Sequence, residues 1–226
     1  MSNLPDNFGN LLALKALVLN RLPLLCLPAS FTRLASLESL ILFGCKEVEE
    51  LPAEDMGGLT NLHTFHLKES RQVQLPSSFT QLELLTRLEL DRNVRSVNRL
   101  VESDSPALQE LRQLNITRCR ELTELPAAIT TLHHLTSLHI YAPRLSSLPN
   151  AIGAFSRLRK LDLSRCLSLT HLPTSLTQLS CLHELNVSVT RIHFLPPGFA
   201  QLSRHKKLDI SGCTKQKLTC KGTEIP

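Results

Sequence analysis

One sequence pattern recurs along almost the whole chain and limits what the chain can fold into. In the stretch Leu158–Cys166, apolar residues stand at positions 1, 4 and 6 of a nine-residue unit and a Cys stands at position 9. One such unit cannot bury its own apolar face, so successive copies must stack and share a core. The unit recurs every 23 to 26 residues, and its first positions are Leu14, Leu37, Leu62, Leu85, Leu111, Leu135, Leu158, Leu182 and His205.

A Leu-Pro pair runs in phase with this unit. Leu125-Pro126 is one example, and a weaker apolar pattern follows it as far as Leu132. Proline fixes φ and removes a backbone donor, which suits a turn outside the sheet. Each repeat therefore predicts a strand, a turn, the Leu-Pro pair and a short helical or 3₁₀ turn. The pairs begin at Leu4, Leu27, Leu51, Leu75, Leu125, Leu148, Leu172 and Leu195.

The unit resembles the leucine-rich repeat, L-x-x-L-x-L-x-x-N/C. The period of 23 to 24 residues, the Leu-Pro pair and the C-x-x-L step at Cys119–Leu122 resemble the plant intracellular type of this repeat. The resemblance implies the α/β class, with an open leucine-rich-repeat solenoid of about nine repeats. A curved parallel β-sheet would form the concave face, and short helical or 3₁₀ turns would form the convex face. We expect one domain over residues 1–226.

Two segments depart from the repeat. At 93–110 the Leu-Pro pair is missing, and a run of Ser, Asp and Pro predicts a loop, which is either a protruding contact loop or an insertion tolerated on the convex side. The tail at 214–226 carries no further strand pattern, and it is either a polar cap or the start of a linker. Because the chain begins in the outer half of a repeat and such stacks need capped ends, we also expect a fragment of a longer protein.

The cysteines fit the repeat better than a disulfide or metal framework. The seven Cys include no C-x-x-C pair, and four of them occupy position 9, where a small side chain points inward toward the backbone of the turn. Reduced thiols favour a cytosolic setting. The first residues contain no basic stretch followed by an apolar one, and no apolar run approaches about 18 residues. We therefore expect no cleaved secretory signal, a cytoplasmic fold and no membrane. The four ladder cysteines are Cys45, Cys119, Cys166 and Cys213.

Strand alternation predicts where a partner would bind. If positions 4 and 6 point inward, then positions 3, 5 and 7 face the concave wall and positions 2 and 8 lie at its edges. Apolar Ile41 and Phe43 on this wall mark either a contact or a covered edge, and His66, His139 and Tyr141 suit an interface hot spot. The predicted partner-binding residues are Ile41, Phe43, His66, Lys68, Arg87, Glu89, Arg92, Asn115, Arg118, His139, Tyr141 and Arg165.

Arginines repeat at position 8, as in Arg92, Arg118 and Arg165, and form a basic stripe. The stripe is either a site for an acidic protein surface or a solvated charged face. Acidic residues interleave with it and the net charge is only +5, which disfavours nucleic acid.

No pattern for catalysis, cofactor binding or metal binding is present. The chain lacks H-E-x-x-H, a P-loop and G-x-S-x-G. His63 and His66 would point to opposite faces of a strand, so they cannot share a metal. We therefore assign no catalytic residue, no cofactor and no metal.

The resemblance also bears on function. Repeats of this type are found in plant immune receptors and in type III secreted effectors of plant-pathogenic bacteria, including the XopL-type ubiquitin ligases. It implies a non-enzymatic module that binds a partner protein, for example a host protein, as part of an effector secreted into the host cell. The alternative is the substrate-recognition region of an E3 ubiquitin ligase effector whose catalytic domain is not in this chain, which leaves open whether the full-length protein is an enzyme.

Overall fold

The structure is a computed structural model, and it describes residues 3–52, 56–70, 73–92, 97, 108–202, 207–213, 219–220 and 223–224. Two compact units make up the chain, Met1–Asn115 and Ile116–Pro226. Most of the irregular repeat at 93–110 and of the tail at 214–226 lies outside the described residues, and so does His205.

Parallel strands form the sheet of the first unit in chain order. Neighbouring strands pair at equal repeat positions, so that Ile41 of one strand lies beside His66 of the next. This register places like positions of successive repeats in rows across the sheet. The strands are β1 (Ala16–Asn20), β2 (Ser39–Phe43), β3 (Thr64–Lys68), β4 (Arg87–Asp91) and β5 (Gln113–Thr117), the last of which contains the boundary between the units.

The second unit has the same pattern, and three of its strands are shorter, with three residues each. A side-chain turn ends each short strand, because the Asp or Asn at position 5 accepts a hydrogen bond from the N–H of the Ser two residues later, as in Asp162–Ser164 at 2.9 Å. Asn186 and Asp209 make the same turn with Ser188 and Ser211. The strands are β6 (Ser137–Tyr141), β7 (Lys160–Asp162), β8 (Glu184–Asn186) and β9 (Lys207–Asp209).

The predicted inward positions form the core. From the second repeat to the eighth, every residue at positions 1, 4 and 6 is at most 2% exposed, including Phe65 in the place of a Leu. The end repeats are less covered: Leu208 in β9 is 37% exposed. The sequence pattern therefore predicted the core correctly.

The Leu-Pro pairs begin the 3₁₀ turns, as predicted. From Leu27 onward each Leu of the pair is buried, whereas Leu4 is half-buried. The carbonyl of the following Pro accepts the first turn hydrogen bond in most of these turns, as in Phe31 N–H to Pro28 O at 2.9 Å. In the described residues the 3₁₀ segments are Phe8–Asn10, Ala29–Arg33, Met56–Gly58, Ser77–Gln81, Ala127–Thr131, Asn150–Ala154, Thr174–Gln178 and Phe199–Gln201. Parallel strands alternating with 3₁₀ turns confirm the predicted fold class.

Position 9 holds small polar side chains in most repeats and departs from this at Leu22 and Pro143. The thiol of Cys45 donates to the carbonyl of Leu19 at 3.6 Å, and that of Cys166 donates to the carbonyl of Ile140 at 3.3 Å. Each acceptor is position 6 of the preceding repeat. Burial raises the pKa of the Cys166 thiol to about 11, so this residue is a structural thiol and not a nucleophile.

The tail contains one feature that the sequence pattern did not predict. Two-residue strands β10 (Thr219–Cys220) and β11 (Thr223–Glu224) pair antiparallel and lie outside the repeat. Pairs this short carry too little alternation to be recognised from sequence.

Candidate partner-binding surface

Side chains at positions 3, 5 and 7 form the outward side of the sheet, which we call the strand face. In β2 and β3 burial alternates strictly, with inward residues buried and outward residues half-buried. The strand face is therefore the surface that the sequence predicted as the binding wall.

Five of the predicted residues form one contiguous cluster on this face, which we call the β2–β4 patch. It consists of Ile41, Phe43, His66, Lys68 and Glu89. The strand register places Ile41 beside His66 and His66 beside Glu89, and it places Phe43 beside Lys68. Sequence reasoning proposed these residues one by one, and the structure brings them together.

Glu89 is the electrostatic centre of the patch. Its carboxylate lies 3.0 Å from Lys68 Nζ and 3.7 Å from His66 Nδ1. Burial lowers the pKa of His66 in spite of Glu89, so the imidazole is neutral at pH 7 and the ion pair is Lys68–Glu89. The only accessible carboxylate of the patch is thus already matched by a cation.

The apolar part of the patch is extended by two residues that were not predicted. The guanidinium of Arg21 lies over the Phe43 ring, 5.2 Å from its centroid, a cation–π arrangement. Val18, 59% exposed on β1, lies beside Ile41. Arg21 stands at position 8, next to the end of β2, and this position could have predicted its contact with Phe43.

Arg87 and Asn115 complete the predicted set on the strands of the first unit. Arg87 is exposed at position 3 of β4, and it makes no ion pair within the part of the chain that the structure describes. Asn115 is half-buried at position 5 of β5. Arg87 is thus a free cation at the margin of the patch.

The second unit contributes its own pair of groups. His139 Nδ1 lies 3.3 Å from Asp162 Oδ2. Burial works against ionisation of Asp162, but hydrogen bonds from His139 and Ser164 outweigh it and lower the pKa of this carboxyl to about 2. Tyr141 is half-buried at the end of β6.

Position 8 has a backbone role that the sequence analysis missed. In eight of the nine repeats this residue adopts a left-handed conformation, and in the sixth Ala142 does not. The basic stripe of Arg92, Arg118 and Arg165 therefore occupies the turn that ends each strand. The glycines at position 8 of two repeats could have predicted this conformation, because Gly adopts positive φ readily. The left-handed residues, with φ between 50° and 66°, are Arg21, Gly44, Glu69, Arg92, Arg118, Arg165, Val189 and Gly212.

Two residues expected on the wall are buried, Asp91 and Ser188, both at position 7. Asp91, at position 7 of β4, is 1% exposed, and its carboxylate accepts the backbone N–H of Glu69 at 3.3 Å and lies 4.0 Å from Arg92 Nε. Asp91 therefore stabilises the turn and is not available to a partner. Alternation did not predict its burial, because position 7 lies where the chain leaves the sheet.

A shallow, open depression of about 360 Å³ lies beside the patch at the loop edge. It carries charges of both signs from Arg21, Lys46, Glu47 and Glu69, so it favours neither an anion nor a cation.

Curated proteins match part of the chain. TMV resistance protein N of Nicotiana glutinosa is 32% identical over 139 residues, which are 61% of this chain and 12% of that protein. The volume-regulated anion channel subunit LRRC8A of Rattus norvegicus is 31% identical over 144 residues, which are 62% of this chain and 17% of that protein. The chain spans less than a fifth of the length of these relatives. No protein-family model matches it.

Solved structures match more of the chain. The leucine-rich-repeat domain of the type III effector XopL is 31% identical with a TM-score of 0.68, covering 79% of this chain and 62% of that one. The chain has the leucine-rich-repeat fold. Its repeats resemble those of the XopL domain, which confirms the resemblance that the sequence indicated.

More distant leucine-rich-repeat structures support the fold alone. Toll, in its complex with Spätzle from Drosophila, is 20% identical with a TM-score of 0.78, covering 94% of this chain and 28% of that one. A leucine-rich-repeat protein of Leptospira interrogans is 22% identical with a TM-score of 0.64, covering 93% of this chain and 64% of that one.

In the described residues no three His, Cys, Asp or Glu side chains are placed to hold a metal ion. No helix within the described ranges is long and apolar enough to cross a membrane.

Proposed function

We propose that this chain is a scaffold that binds a partner protein on its strand face. The contiguity of the β2–β4 patch is the observation that carries this proposal. Apolar, aromatic and charged side chains lie together there on rigid strands, which limits the ordering cost of binding.

The proposal predicts which substitutions weaken binding. Phe43→Ala and Tyr141→Ala each remove an aromatic contact, and Arg118→Glu reverses a charge at the edge of the strand face. We expect each to weaken binding about tenfold or more, the usual range for hot-spot residues, without a loss of folding. Leu84→Ala is the matched control, because Leu84 is 41% exposed and lies outside the strands.

Quantitative pull-down from lysate followed by mass spectrometry measures this effect, with circular dichroism as the folding control. If all three variants recover the same proteins as the wild type, in the same amounts, then binding does not use the strand face.

We further propose that the chain belongs to a bacterial type III effector that acts on a host protein. The 31% identity to the XopL domain over 79% of the chain supports this proposal. A translocation reporter fused to the full-length gene product should give a signal in host cells with a functional secretion system. No signal above that of a secretion-deficient strain would contradict it.

The alternative proposal is the substrate-recognition region of an E3 ubiquitin ligase effector. It assigns no ligase chemistry to any residue of this chain. An in vitro ubiquitination assay of the full-length gene product decides it: ubiquitin chains formed with E1 and E2 support it, and their absence contradicts it.

A further inference from the structure

A line of side chains crosses the first unit diagonally and combines apolar groups with unmatched cations. It runs from Arg21 over Phe43 and Ile41 to Arg87. Arg87 lies two strands away from the strand of Phe43 and four repeat positions before the position that Phe43 occupies. The apolar groups lie in the middle of the line, and a guanidinium lies at each end.

The charges of this line are unbalanced. Glu89 is the accessible carboxylate within the β2–β4 patch, and Lys68 at 3.0 Å already pairs with it. Glu47 and Glu69 line the adjoining depression together with the cations Arg21 and Lys46. Asp91 is buried at 1% exposure and accepts a backbone N–H. Neither guanidinium pairs with a carboxylate in the described part of the chain: Arg21 lies over an aromatic ring, and Arg87 is exposed. The surface therefore complements a partner that brings its own carboxylates.

We propose that the strand face of the first unit takes an extended protein segment in which two carboxylates flank an apolar side chain. This inference rests on the proposed function and adds the chemistry of the partner. The apolar side chain would lie on Ile41 and Phe43, and the two carboxylates would pair with Arg21 and Arg87.

The geometry sets the spacing of the carboxylates. The Arg21 guanidinium lies over the Phe43 ring, so the distance from Phe43 to Arg87 approximates the distance between the two cations. Two strand spacings of about 4.8 Å and four residues at about 3.3 Å make this distance about 16 Å along the diagonal. An extended segment covers that distance in about five residues. Asp or Glu residues about five apart, with a large apolar residue between them, are the expected motif.

A displayed library of random twelve-residue peptides, selected on the full 226-residue chain, tests the motif. We expect the enriched peptides to carry it. A synthetic peptide of the enriched sequence should bind at least tenfold more weakly to Arg87→Glu and to Arg21→Glu. Arg159→Glu is the matched control, because Arg159 is an exposed cation of the second unit, and it should bind like the wild type.

Exchanging the charges of the peptide and the protein distinguishes a specific ion pair from general electrostatic attraction. Changing one acidic residue of the peptide to Lys should restore binding to Arg87→Glu and weaken binding to the wild type. Circular dichroism of each variant confirms that the fold is retained.

The outcomes distinguish this inference from the proposed function. If Phe43→Ala abolishes peptide binding while both Arg→Glu variants bind normally, the acidic motif is wrong and strand-face binding stands. If no substitution on the strand face changes binding, both are wrong. Selection of no peptide, or of peptides without paired acids, overturns the inference, and so does a preference of the same surface for single-stranded RNA over every peptide.

Discussion

Val189 adopts a backbone conformation that its side chain disfavours. It is a β-branched residue at position 8 with φ of 56°, in a left-handed region that costs an L-residue roughly 1–2 kcal/mol. Two other repeats have Gly in the same place, Gly44 and Gly212. The turn geometry of the repeat is thus imposed on a side chain that does not favour it.

We therefore expect Val189→Gly to stabilise the protein by about 0.5–1 kcal/mol, the relief of strain less the backbone entropy of Gly. Urea unfolding followed by circular dichroism measures the change. Val18→Gly is the matched control: Val18 is also exposed but lies in β1, and this substitution should destabilise by about 0.5–1 kcal/mol. Equal effects of the two substitutions would show that Val189 is not strained.

Sequence reasoning found the residues of the candidate surface better than their backbone roles. Alternation placed Ile41, Phe43 and His66 on the outward face correctly, because the side-chain period of a strand is fixed. It placed Asp91 there wrongly and missed Arg21 as the partner of the Phe43 ring. Both lie where the strand becomes a turn, and there the conformation depends on local hydrogen bonds that no periodicity encodes.

At the scale of the element, Asp162 combines two functions at the end of β7. One oxygen accepts the Ser164 N–H at 2.9 Å, and the other lies 3.3 Å from His139. Asn186 performs the turn function alone in the next repeat, accepting the Ser188 N–H at 2.9 Å. Comparison of Asn and Ala at position 162 therefore separates the turn from the charge.

We expect Asp162→Ala to destabilise the protein more than Asp162→Asn, because only Asn retains the turn. The low pKa of the Asp162 carboxyl, about 2, stabilises the folded state above pH 4, and this contribution is lost as the pH falls toward 2. The wild type should exceed Asp162→Asn by about 1 kcal/mol at pH 5, allowing for solvent screening.

Urea titrations at pH 5 and pH 2.5 measure this difference. A wild-type advantage that stays constant between the two pH values would contradict the charge function of Asp162.

The sequence predicted the order of strands and 3₁₀ turns, but it did not predict the lengths of the strands. Leu-Pro marked the start of the 3₁₀ turns, because Pro prefers the extended conformation that precedes them. The shorter strands β7, β8 and β9 were not distinguished from the longer ones. Their shortness follows from the Asp or Asn at position 5, whose side chain ends the strand.

At the scale of the whole molecule, stacked repeats supply rigidity and leave the strand face to recognise a partner. Inward leucines are almost fully buried from the second repeat to the eighth, so substitutions on the outward side should change binding without changing the fold. The single domain over residues 1–226 stays a prediction, since the chain divides into two compact units. The partner-binding residues also stay a prediction.

Site-specific photo-crosslinking tests the strand face most directly. A photoreactive phenylalanine analogue replaces Ile41 on the strand face in one variant and Leu84 outside the strands in the other. Both are irradiated in lysate, and the adducts are identified by mass spectrometry. The account predicts a discrete protein adduct from position 41 and none from position 84, whereas an adduct from position 84 alone would contradict it.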